Sequence, residues 1–172
     1  MPFEVAATGV RAKALSAKLR AQALALLKLC RLEEYELSLL LTDDRTMRKL
    51  NRRFRGQDHS TDVLAFPQID SPLDLRAKGR ARTERVLSSG SVPLLLGDVV
   101  ISLDTARRQA RELGVGLQSR LRALFIHGFL HLLGYDHESS AVEARRMFKR
   151  ERELQRSLDK LNLGVRRTAP AR

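Results

Sequence analysis

Three histidines fall within one short run, His127-Gly128-Phe129-Leu130-His131-Leu132-Leu133-Gly134-Tyr135-Asp136-His137. The first two are four residues apart, so on a helix they lie one above the other and aim two imidazoles at one point. Gly134 then ends the helix and lets the chain fold back, which brings His137 towards the same point. Two imidazoles on a helix otherwise built of Leu, Ile and Phe leave ring nitrogens to satisfy in apolar surroundings. Each one left unpaired costs roughly 1–3 kcal/mol. A divalent metal removes that cost, with zinc the first choice for neutral imidazoles, and three protein ligands leave its fourth position open, as in catalytic sites.

The surrounding pattern predicts an α+β fold in a single domain, residues 1–172, with a small mixed sheet packed against several helices. A helix is expected over about 10–30 with Leu15, Leu19, Ala23 and Leu26 inward. Alternating Tyr35, Leu37, Leu39 and Leu41 read as a strand. Thr42 or Asp43 caps a helix with Met47, Leu50 and Phe54 inward and Arg45, Arg48, Lys49, Arg52 and Arg53 outward, ended by Gly56. Asp62 to Pro67 reads as a short strand closed by proline, and Leu96 to Ile101 as another. About 68–94 is rich in Ser, Pro, Gly and Arg and reads as a long basic loop. Ser102 caps a helix running to Gly114. Leu117 to Leu133, apolar apart from the stripe Arg120, Leu124, His127, His131, reads as the buried central helix that carries the ligands. Ser140 and Glu143 form a capping box for a last helix to about 162, inward through Met147, Leu154, Leu158 and Leu161, before a basic tail over about 164–172.

Lys and Arg number 32 against 20 Asp and Glu, a formal charge of +12. Such a chain is drawn to polyanions, and its many arginines suit phosphate oxygens. Two Tyr, six Phe and no Trp argue against a base-stacking platform as the main mode and favour contact with the phosphate backbone. The single cysteine, Cys30, forbids an intrachain disulfide and fits a reducing cytosol; on its helical stripe it reads as a small core hydrophobe. No segment reads as a membrane span or a signal peptide, so a cytoplasmic location without a membrane partner is expected.

The histidine spacing is shared with the metzincin proteases, which place a glutamate directly after the first histidine as general base. Here that position is Gly128, so a peptidase would lack its proton acceptor. Read whole, the run resembles the signature H-G-x-L-H-L-x-G-Y-D-H of the YbeY family of bacterial endoribonucleases. Two further segments agree. Leu50 to Asp58 followed by Thr61 to Pro67 is similar to the family's L-N-x-x-(Y/F)-R-G-x-D-x-x-T-D-V-L-S-F-P, and Leu96 to Ser102 to its L-G-D-I-x-I-S.

The resemblance implies a metal cleft beside a basic surface, with His127, His131 and His137 holding one zinc ion and Arg55 as the essential cleft arginine. It implies single-strand-specific cleavage of RNA phosphodiesters in ribosomal RNA maturation, at the 3′ end of 16S ribosomal RNA, and in ribosome quality control. Its implied partners are the small ribosomal subunit and ribosome-assembly proteins. Read from physics alone, Arg55 beside a glycine turn could hold a phosphate bidentately, or be one more solvated arginine. The chain departs from the pattern at Ala65, where the family has serine, at His59, read as a solvated loop histidine, and in its longer, more basic loop. Asp62, Asp98 and Asp136 read as turn formers or as supports for a histidine N–H. Two other functions stay open: an RNA-binding assembly factor whose metal is mainly structural, and a metal-dependent hydrolase of a non-RNA substrate.

Overall fold

The computed structural model describes residues 3–7, 10–69 and 94–161, with side chains from residue 17 onward. Nearly all of the expected basic loop, the expected tail and the side chain of Leu15 lie outside the described residues.

The chain runs β1 (Phe3–Ala7), α1 (Val10–Cys30), β2 (Tyr35–Thr42), α2 (Asp44–Arg55), β3 (Val63–Pro67), β4 (Leu94–Ser102), α3 (Leu103–Glu112), α4 (Leu117–Leu132) and α5 (Ala141–Lys160). The four strands form one mixed sheet in the order β1-β2-β4-β3, an α+β architecture. β1 and β4 both pair parallel with β2, and β3 runs antiparallel to β4. β1 was not expected: five residues carry no usable alternation, and a parallel partner is reached only after the whole of α1 has crossed over.

Strand alternation sorts the core into two layers. On one face Tyr35, Leu37, Leu39, Leu41, Val99 and Ile101 pack with apolar residues of α1, α4 and α5. On the other, Leu40, Val100, Leu64 and Phe66 meet Met47 and Leu50 of α2. Two expectations fail at helix ends. Phe54 is exposed: its ring reaches only the margin of the layer that covers Met47, where it meets Phe66 on the edge strand β3. Leu161 is exposed because α5 stops at Lys160, before the stripe reaches it.

The helix ends follow local chemistry. Asp43 accepts from the Thr46 amide at 2.7 Å, Ser102 from Thr105 at 3.2 Å and Ser140 from Glu143 at 3.2 Å. Gly56, at φ 69°, closes α2 by donating to the Arg52 carbonyl. Pro67 sits on the edge strand, where a missing N–H is tolerated. Its partner Gly97 has φ 141°, and a Cβ there would lie 2.3 Å from the Phe66 carbonyl oxygen.

Candidate metal centre and cleft

α4 is the helix on which the site is built. Leu121, Phe125, Ile126, Phe129 and Leu132 are fully buried, which fixes the rotation of the helix and turns the other stripe, Arg120, Leu124, His127 and His131, towards a cleft of about 780 Å³. Gly128 explains how close this helix comes to the sheet. A Cβ there would stand 2.7 Å from Val99 Cγ1 and 3.0 Å from Val63 Cγ2. The position where a metzincin carries its glutamate is therefore pressed against two strands, with no room for a side chain.

After α4, Gly134 takes φ 78° and the Tyr135 amide returns to the Leu130 carbonyl at 3.0 Å. Asp136 then accepts the Glu138 amide at 2.8 Å, a tight turn that carries His137 back to the helix. That amide holds the Asp136 carboxyl below its ordinary pKa. One ligand atom each from His127, His131 and His137 lies within 4.8 Å of the others. The ring centroids are 4.8 to 5.2 Å apart.

The residues fit a divalent metal. His131 Nε2 and His127 Nε2 are 3.1 Å apart, near the spacing of about 3.3 Å between two nitrogens on a tetrahedral zinc with bonds of about 2.05 Å. His137 Nδ1 is buried without a hydrogen-bond partner. Burial pushes the His131 pKa down, and the neighbouring His127 and His137 push it the same way, which favours the neutral ring that metals bind.

Glu151 completes the cluster from α5. Its Oε1 lies 2.6 Å from His127 Nδ1, so the proton stays on Nδ1 and the Nε2 lone pair faces the other histidines. The sequence reading missed this residue. The signal was present: Glu151 is a carboxylate on the inward stripe Met147, Leu154, Leu158 of α5.

Among the described residues, two arginines line the same cleft. Arg55 is the last residue of α2; its side chain is 49% exposed, with Nη2 3.6 Å from Glu138 Oε2. Glu138 Oε1 is in turn 4.0 Å from His137 Nε2. Arg120 is held more firmly. Its Nε donates to Gln109 Oε1 at 2.9 Å and its Nη2 to Asp62 Oδ2 at 3.3 Å, while Gln109 Nε2 donates to that same oxygen at 3.1 Å. Asp62 thus supports an arginine rather than a histidine. Asp98 accepts from Gln68 Nε2 at 2.6 Å. His59 is exposed, with Nδ1 3.0 Å from the Ser60 carbonyl oxygen. Ala65 is half-buried on β3, opposite Val99.

Comparison with known proteins points to one family. The family model described as Endoribonuclease YbeY matches residues 6–159. Proteins named Endoribonuclease YbeY from Anaeromyxobacter sp. (strain Fw109-5) and Persephonella marina are 43% and 42% identical to this chain. The first alignment covers 94% of this chain and 74% of the relative, the second 72% and 70%. The namesake from Leptospira interrogans is 44% identical over 70% of this chain and 84% of its own length. A solution structure of a Thermotoga maritima protein shares the fold with a TM-score of 0.61 at 21% identity, covering 97% of this chain and 99% of that one. A buried helix bearing the histidines, an arginine at the end of α2 and a match across nearly the whole chain lead to one conclusion: the protein belongs to the YbeY endoribonuclease family.

Proposed function

We propose that the protein is a zinc-dependent endoribonuclease that cuts single-stranded RNA in ribosomal RNA maturation, with His127, His131 and His137 as the metal ligands and Arg55 as the catalytic cation. The observation that carries this reading is the meeting of three imidazoles on the wall of a cleft also lined by two arginines. A bound zinc ion supplies Lewis-acid stabilisation of charge on a phosphate.

The chain's own residues divide the remaining work. Glu151 keeps the His127 proton on Nδ1, so the opposite nitrogen serves the site. Arg55 is paired with Glu138 only at 3.6 Å and near solvent, a contact that costs little to exchange for a phosphate. Its planar fork then offsets the charge that grows on the phosphodiester as it is attacked. Arg120, braced by Asp62 and Gln109, adds a cation that needs no reorganisation. By family likeness the substrate is the 3′ end of 16S ribosomal RNA, in the setting of the small subunit, its assembly proteins and its quality control.

The test compares metal-loaded protein, chelated protein and Arg55→Ala on structured and unstructured RNA. Cleavage of the unstructured RNA is expected from the first alone, with Arg55→Ala slower by about 10²-fold or more. Equal cleavage by all three samples would assign the activity to a contaminant. His127→Ala separates catalysis from structure. Lost cleavage with an intact melting transition supports the enzyme, whereas collapse of the fold with unchanged residual cleavage points to a structural metal in an assembly factor.

A further inference from the structure

Phe54 is a large apolar side chain with 55% of its surface exposed. Its ring meets Phe66 of β3 edge to face, with centroids 5.0 Å apart and planes at 64°. The guanidinium carbon of Arg53 lies over the ring, 5.2 Å from its centroid. Both phenylalanines line the cleft shared by Arg55 and the three histidines. The last turn of α2 thus reads Arg52, Arg53, Phe54, Arg55, a ring set among cations at the mouth of the proposed active site.

This juxtaposition matches one chemical unit. A nucleotide carries a flat π-face and a phosphate a few bonds apart, and only an unpaired base offers that face, since a duplex keeps its bases stacked. We propose that Phe54 stacks on one unpaired nucleobase of an RNA strand whose phosphate is held by Arg55. The base takes the ring face now covered by Arg53, and the Arg53 guanidinium moves to the outer side of the base or to the backbone. Phe66 steadies the ring from its edge. The inference rests on the RNA-cleaving reading above and adds a group that selects single strands. It amends the expectation drawn from aromatic content: a single ring suffices where a platform is absent.

The experiment titrates full-length wild type, Phe54→Leu and Phe54→Tyr, in chelator, with single-stranded oligouridylate, an RNA duplex and inorganic polyphosphate. Metal-loaded cleavage and thermal melting are measured beside the titrations. Phe54→Leu is expected to weaken oligouridylate binding by about tenfold. Duplex and polyphosphate binding are expected to stay unchanged, and Phe54→Tyr to restore the loss. Unchanged oligouridylate binding by Phe54→Leu, or an equal loss for oligouridylate and polyphosphate, overturns the stack. Wild type that binds oligouridylate through Phe54 yet cleaves no RNA keeps the stack and sinks the proposed activity. Wild type that cleaves while Phe54→Leu binds and cleaves as it does sinks the stack and keeps the activity.

Discussion

A histidine offers a lone pair from one ring nitrogen only when the other keeps the proton, and for His127 that choice is made by Glu151, 24 residues away. Glu151→Gln keeps the shape and removes the charge. Zinc affinity measured by competition with a chelator is expected to fall about 10- to 100-fold. Added zinc should raise the melting temperature of wild type, as any ligand selective for the native state does, and leave that of His127→Ala much less changed. Asp44 is a second residue with reach. Burial works against its charge, but the Ser102 and Thr105 hydroxyls, the Arg108 guanidinium and the Ser60 hydroxyl all donate to it and hold its carboxyl well below the ordinary value. A depressed carboxyl adds stability that is fully present above the unfolded pKa of about 3.9 and fades as pH falls through the folded one. Asp44→Asn should cost about 1–2 kcal/mol near neutrality. The melting gap to wild type should hold down to about pH 5 and narrow below about pH 4.

At the scale of elements, α4 works as a beam whose distance from the sheet is set by Gly128. A glycine inside a helix gives up about 1 kcal/mol relative to alanine. Gly128→Ala recovers that propensity but drives a methyl into Val99 and Val63. Overpacking of this kind costs about 1–3 kcal/mol, so a lower melting temperature is expected and a higher one would refute the close approach. The elements whose ends depend on near neighbours were legible beforehand. Asp43, Ser102 and Ser140 cap helices with their own side chains, and Gly56 and Gly134 adopt the positive φ that turns the chain. Phe54 was misread for the opposite reason. Its spacing from Met47 and Leu50 marks an inward face, but whether a face is covered depends on strands elsewhere in the chain.

For the whole molecule, the charge of +12 and the arginine-lined cleft make RNA binding a test of electrostatics. The logarithm of affinity for single-stranded RNA should fall linearly with the logarithm of salt concentration. If Arg55 neutralises one phosphate, Arg55→Ala should make that slope shallower by about 0.7. An unchanged slope would remove Arg55 from the phosphate. Among the described residues no helix is long and apolar enough to cross a membrane.

The sequence by itself determined the histidine spacing, the turn that returns His137, the boundaries of most helices and the placing of Arg55 before a glycine, because each depends on residues within a turn or two of one another. Tertiary structure alone decided that β1 joins the sheet, that Glu151 reaches His127, that Asp62 braces Arg120 and that Phe54 stays uncovered beside Arg55. Those outcomes depend on which surfaces meet when distant segments pack, and no local pattern of hydrophobicity encodes that meeting.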